Sequence, residues 1–118
     1  MSINSAFQAM SKTYKANATT SSQTMTLTPD APCTKLCVAS HELTGGTGKP
    51  VFFVVSSNSS VTITQPGNGT PQYCLVSTPC TIKTFQIPGQ ASPTAPIYIA
   101  FLTDSGTAAC YFTLGEGL

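Results

Sequence analysis

Charge is what this chain most lacks. Asp, Glu, Lys and Arg make up 8% of its 118 residues, against about a quarter in an ordinary soluble domain. There is no arginine, and the basic residues Lys12, Lys15, Lys35, Lys49 and Lys83 are scattered. Asp30, Glu42, Asp104 and Glu116 balance them to a formal net charge of +1. A nucleic-acid binder needs clustered cations to displace counterions, and usually the bidentate fork of Arg to read bases. Neither is here, which argues against nucleic acid as a partner. Tryptophan is absent and histidine occurs once, as His41. No apolar run approaches the roughly 20 residues that cross a bilayer as a helix, so no membrane partner is expected. The opening Met1-Ser2-Ile3-Asn4-Ser5-Ala6-Phe7 has neither the basic nor the apolar part of a signal peptide. The expectation is folding in a reducing cytoplasm.

The cysteines fit that compartment. Cys33, Cys37, Cys74, Cys80 and Cys110 are odd in number and cannot make a closed disulfide framework. On extended chain, Cys33 and Cys37 stand roughly 13 Å apart, beyond disulfide reach. Cys74 and Cys80 could face each other across a short hairpin at Thr78-Pro79, and that pair alone would oxidise after release from a cell. The spacings C-x3-C and C-x5-C are not the paired C-x2-C hooks of a zinc site, and His41 has no matching partner. Buried free thiols are expected, and no metal or cofactor.

Two other motifs dissolve in the same way. In Gly45-Gly46-Thr47-Gly48-Lys49 a phosphate-binding loop would want Gly where Leu43 stands and Ser or Thr where Pro50 stands. It would also want a helix to follow, and Val51-Phe52-Phe53 reads as strand. Ser40-His41-Glu42 brings a hydroxyl, a base and an acid together in sequence, but adjacent residues cannot converge as a catalytic triad by themselves. No enzyme emerges.

What fills the place of charge is threonine and serine, set in alternating runs. β-branched Thr suits strands and disfavours helix. Eight candidate strands follow residue 22: Thr24–Thr28, Lys35–Ala39, Val51–Ser56, Val61–Thr64, Gln72–Val76, Thr81–Ile87, Ile97–Thr103 and Ala109–Leu114. Parity breaks between Ile82 and Phe85, which predicts a bulge near Lys83-Thr84. Pro- and Gly-rich punctuation separates the runs: Pro29 to Pro32, Gly45 to Pro50, Pro66 to Pro71, Pro88 to Pro96, and Asp104-Ser105-Gly106. Short strands at this spacing predict an all-β fold, an antiparallel β-sandwich or jelly roll of about eight strands. A chain of this length buries a single core. Residues 23–118 are read as that domain, and 1–22 as an extended N-terminal arm. In the arm Phe7, Met10 and Tyr14 fall at helical spacing. Such a polar segment is either a solvated tail or an arm that orders on a neighbouring subunit.

Two of the runs differ from the rest. Val51-Phe52-Phe53-Val54-Val55 and Ile97-Tyr98-Ile99-Ala100-Phe101-Leu102 are apolar on both faces. A strand that is apolar on both faces needs a neighbour on each. In a short chain with little charge to keep copies apart, the second neighbour is expected to be another protein. Val51, Phe52, Phe53, Val54, Val55, Ile97, Tyr98, Ile99, Phe101 and Leu102 are therefore the expected core and self-association residues. Phe7, Met10, Tyr14, Gly46 and Lys49, on the arm and the Thr44–Pro50 loop, are the expected partner contacts. Tyr73, Tyr98 and Tyr111 with Phe52, Phe53 and Phe101 offer an alternative, a carbohydrate-stacking face, although aromatic residues on strands are more often core.

Several segments carry a likeness. They are Met1 to Met10, Pro32-Cys33-Thr34-Lys35-Leu36-Cys37-Val38-Ala39, Pro50-Val51-Phe52-Phe53-Val54, and Ile97-Tyr98-Ile99-Ala100 through Cys110-Tyr111-Phe112-Thr113-Leu114-Gly115-Glu116-Gly117. In layout and composition the chain resembles the small virion proteins of tailed bacteriophages. The resemblance implies a capsid decoration (cement) protein in the virion, assembled in the host cytoplasm. Its implied partners are the major capsid protein and copies of itself, as dimer or trimer. It implies no catalytic residues. A tail or head-fibre component, or a host-surface carbohydrate-binding module using Tyr98 or Tyr111, is the alternative.

Overall fold

The protein, as a computed structural model, is described over residues 7–40, 49–78 and 81–117. Strands β1 (Gln8–Ala9), β2 (Tyr14–Ala18), β3 (Gln23–Leu27), β4 (Cys33–Ser40), β5 (Val51–Ser56), β6 (Leu75–Ser77), β7 (Thr81–Ala91), β8 (Ile97–Thr103) and β9 (Ala108–Glu116) form two antiparallel sheets. The first runs β2-β9-β4-β7, with β1 beside the far end of β9; the second runs β3-β8-β5-β6. The fold is all-β, a two-sheet sandwich. The expected runs Val51–Ser56 and Ile97–Thr103 are strands over those same residues.

Alternation decides which side chains meet between the sheets, since successive residues of a strand point to opposite faces. Leu36 and Val38 of β4, Phe112 and Leu114 of β9, Val51 and Phe53 of β5, and Ile97, Ile99 and Phe101 of β8 all turn inward. At the centre, the Phe53 ring meets Phe85 edge-on at 5.5 Å between centroids and Phe112 at 5.6 Å. Such geometry sets the positive ring edge against a negative face and adds about 0.5–1.5 kcal/mol per pair beyond burial.

The expected arm is in fact part of this sandwich. Tyr14↔Phe112 through Ala18↔Ala108 pair β2 with β9, and Ala16 and Ala18 are fully buried. Phe7, Met10 and Tyr14 lie on extended chain, so their helical spacing has no structural counterpart. The edge of β9 offers a ladder of backbone partners, and a short polar helix offers far fewer contacts. The Tyr14 hydroxyl donates to Thr28 O and accepts from Thr28 N, which ties β2 to the end of β3. Gly115 explains why β1 can lie so close: a Cβ there would collide with the Gln8 backbone and the Phe7 ring.

Two further expectations shift. No bulge interrupts Lys83-Thr84, where pairing with Val38 and Cys37 is regular. The parity break arises because Ile82 simply stands exposed on the outer face while Phe85 turns in. The register jumps instead between Lys35↔Gln86 and Cys33↔Ala91, where Pro88 lacks a ladder donor and Gly89 adopts a φ of 72°. Val61–Thr64 is not a strand, and Gln72–Val76 contributes only the short β6.

The segment 57–74 has another use. It lies over the outer face of the second sheet, where Ile63 is buried with Ala100 and Leu102, and Val61 and Cys74 pack beside Phe52 and Val54. The Thr24 hydroxyl donates to Val61 O at 3.0 Å, and Ile63 N donates to the Ser22 hydroxyl at 3.1 Å. The second neighbour demanded by the two-faced strands is thus this chain's own loop. That corrects the expectation of a partner protein over Phe52, Val54 and Leu102.

Candidate functional site

Most of the expected contact residues are committed to the fold. Val51, Phe53, Ile97, Ile99 and Phe101 are in the central core with Val55 packed against it, and Phe52, Val54 and Leu102 are under the loop. Tyr98 is half-buried on the outer face of β8, paired with Thr26 and Ser56. Met10 and Tyr14 pack against the core, and Phe7 is half-buried near Gly115. Lys49 is half-buried beside Gly106. Gly46, with the rest of the glycine-rich loop and the His41-Glu42 pair, lies outside the described residues, as does Cys80.

The aromatic residues proposed as a sugar platform do not share a surface. Tyr98 is on the outer face of the β3-β8-β5-β6 sheet, Tyr111 on the outer face of the opposite sheet, and Phe53 and Phe101 between them. The thiols are equally uninviting as nucleophiles. Ser40 and Ser77 share a hydrogen bond at 2.6 Å, and the Ser40 hydroxyl lies 3.5 Å from Cys110 Sγ. This buried cluster links β4, β6 and β9. Burial pushes the Cys110 thiol up from an ordinary 9.0, partly offset by the Ser40 and Ser77 hydroxyls. Cys33 is pushed up by burial and by the Glu116 carboxylate. An activated nucleophile needs the opposite shift. Cys33, Cys37, Cys74 and Cys110 are all free thiols. Among the described residues no three His, Cys, Asp or Glu side chains gather as a metal site.

The sandwich edges show where contact remains open. An edge strand offers unpaired backbone groups, so natural proteins shorten, charge or cover it. The Thr24 and Ser22 hydroxyls hold the 57–74 loop beside β3. On β7, Lys83 pairs with buried Val38 and therefore stands on the core-facing side of the edge, and Pro88 interrupts it further along. β6 is guarded only by being short. Its pairing with β5 stops at Phe53↔Leu75, while β5 runs on through Val54 and Val55 to Ser56.

That shortfall opens a notch of about 390 Å³ between the sheets. Val54, Val55, Phe85 and Pro88 make its apolar wall; Gln72, Tyr73, Cys74, Leu75 and Gln86 complete it. Tyr73 is 98% exposed, Ile82 74%, Val76 42% and Leu75 41%. These exposed large apolar residues all fall between positions 73 and 82, on β6, its approach, or the start of β7. Of the four, Tyr73 and Leu75 line the notch, whereas Val76 and Ile82 stand on the outer faces of different sheets; exposed apolar groups gathered at a recess mark a contact site. Sequence reasoning placed Tyr73 in a regular strand and so missed this site. The available signal was Pro71, which sits two residues ahead of Tyr73 and starves the segment of ladder donors.

No known protein family, curated protein or solved structure matches this chain.

Proposed function

We propose that this chain is a non-catalytic structural protein of a virion, a capsid decoration (cement) protein of a tailed bacteriophage. The observation that carries the reading is the nesting of its strand pairs. β2 pairs with β9, β3 with β8, β4 with β7 and β5 with β6, every pair antiparallel. Four nested strand pairs divided between two sheets are the arrangement expected of a jelly roll, and viral capsid proteins are prominent among the users of that fold. Lectins and cupins use it too, so topology alone does not choose among them. Low charge supports the structural role, because copies packed on a shell repel each other little. So do the exposed apolar side chains of Tyr73, Leu75, Val76 and Ile82.

Such a protein binds the assembled shell in preference to free subunits, and so shifts the equilibrium toward the closed lattice. Modest contacts suffice when many copies each hold several footholds. Its partners in this reading are the major capsid protein and copies of itself, and it acts in the virion without nucleic-acid or membrane contact. The test is to titrate purified protein onto expanded shells stripped of accessory proteins. Saturation at hundreds of copies per particle, with raised resistance to heat, is the expected result. Failure to bind shells overturns the reading, and a dozen or fewer copies on whole virions moves the protein to the tail or a head fibre.

A further inference from the structure

We infer that Asn68 is a self-modifying site: the backbone nitrogen of Gly69 closes on its side chain, and the residue converts without an enzyme to aspartate and isoaspartate. The inference stands apart from the proposed function and holds whatever the protein binds. Asn68 and Gly69 are the exposed tip of a tight turn between Gly67 and Thr70. Gly67 N donates to Thr70 O at 3.1 Å, and Thr70 N donates to Gly67 O at 3.0 Å. A bridge this small on the surface opens locally at little cost. Gly69 has a φ of 79°, and a Cβ placed on it would meet no atom within 4 Å. Glycine thus leaves the attacking nitrogen unhindered and lets the chain rotate as ring closure requires. The fold also separates Asn68 from the other asparagines among the described residues. Asn17 is held in the β2–β9 ladder opposite Ala109, and the next residue, Ala18, is fully buried. Asn58 Oδ1 accepts from Ser60 N at 2.9 Å and from Ser60 Oγ at 2.8 Å, which fixes its side chain. That tether has no counterpart in the 67–70 turn, where both bonds run between backbone atoms of Gly67 and Thr70.

The step begins when hydroxide or another solvent base takes the proton from Gly69 N. The nitrogen's electron pair forms a bond to Asn68 Cγ, the Cγ–Nδ2 bond breaks, and ammonia leaves with a proton from water. Water then opens the cyclic imide. Opening at Cγ gives aspartate; opening at the Asn68 backbone carbonyl gives isoaspartate, whose main chain is longer by a methylene. Either product adds a negative charge, which takes the formal net charge from +1 to zero. The two differ in what they do to the turn. Asp-Gly suits a two-residue loop as well as Asn-Gly does, so the aspartate form keeps it. The isoaspartate form lengthens a loop whose length sets its geometry, and the bonds between Gly67 and Thr70 are lost.

The experiment ages folded wild type, Asn68→Gln and Gly69→Ala in mildly alkaline buffer. Peptide mapping by mass spectrometry locates the conversion, and enzymatic methylation reports isoaspartate. In folded wild type, conversion at Asn68 should exceed that at Asn17 or Asn58 by at least about tenfold. A more acidic form should accumulate on isoelectric focusing, faster as pH rises because the deprotonated nitrogen is the nucleophile. Asn68→Gln, which must close a larger ring, should remove that form. Gly69→Ala puts a side chain at a positive φ and so loosens the turn, yet it should slow conversion at least about tenfold by crowding the nitrogen. Loosening alone would speed the reaction, so a slower rate identifies Gly69 N as the attacking atom. The inference is overturned if Asn17 or Asn58 converts as fast as Asn68, or if Gly69→Ala converts as fast as wild type. It is equally overturned if the converted fraction holds no isoaspartate, which would mean direct hydrolysis. Conversion seen only after unfolding in urea also overturns it, because the turn then protects the residue.

Discussion

The outer face of the β3-β8-β5-β6 sheet and the notch at its β6 edge begin with the same problem and end differently. Both present apolar residues of β5: Phe52 and Val54 on the face, Val54 and Val55 at the notch. Over the face, the 57–74 segment lays down Val61 and Ile63 and anchors itself on Ser22 and Thr24. At the notch the returning chain pairs with Val51 to Phe53 and leaves the last half of β5 uncovered. The lesson is that apolar character on both faces of a strand says that cover is needed and not who supplies it. Here one loop covers the face within the chain, and its limited reach leaves the edge open.

The strongest way to sharpen that contrast is to compare each region with the core. Phe53→Ala, at full burial with two ring contacts, should cost about 3–5 kcal/mol in urea unfolding. Ile63→Ala removes the main anchor of the covering loop and should cost about 2–3 kcal/mol, toward the low end for a buried aliphatic because the site is near the surface. It should also raise binding of a hydrophobic dye. If Ile63→Ala proves no more costly than a surface change, the loop is not a true layer and the comparison fails.

Thiol burial gives a pH test of the inner face. Cys33 and Cys110 have pKa values raised in the fold, so the unfolded chain gives up these protons first as pH rises. The stability associated with keeping them neutral is complete below about 9, the ordinary thiol value, and is lost as pH climbs from there toward the folded values. The melting temperature should fall above pH 9, and less steeply in Cys110→Ala. A flat profile through that range would show that these thiols are more hydrated than their packing indicates. Smallest of all, Tyr73→Ala should change the unfolding free energy of the monomer, measured under dilute conditions, by less than about 0.5 kcal/mol. A larger loss would mean that the notch is part of the fold and not an open contact.

Much of the architecture was legible in the residues. Strand extents at Val51–Ser56 and Ile97–Thr103 could be read because β-branched and aromatic runs end at Pro50, Ser56, Pro96 and Asp104. The core face of β9 could be read because Cys110, Phe112 and Leu114 alternate with Tyr111 and Thr113. The arm was harder. Tyr14-Lys15-Ala16-Asn17-Ala18 carries little hydrophobic signal, and only the free edge of β9 makes two alanines worth burying. The candidate site was hardest of all, since Tyr73 looks like any other strand aromatic until β6 is found to stop three residues short of the end of β5.

Period-two alternation and proline-glycine punctuation are local properties, so composition and order along the chain were sufficient to specify an all-β protein with little charge and a single core. Which segment covers which face depends on contacts between residues dozens of positions apart, such as Ser22 with Ile63 or Lys15 with Tyr111. Those are settled only when loops close and edges compete for partners. For that reason the nested pairing, the self-supplied cover over Phe52 and Leu102, and the open notch beside Tyr73 belong to the tertiary structure alone.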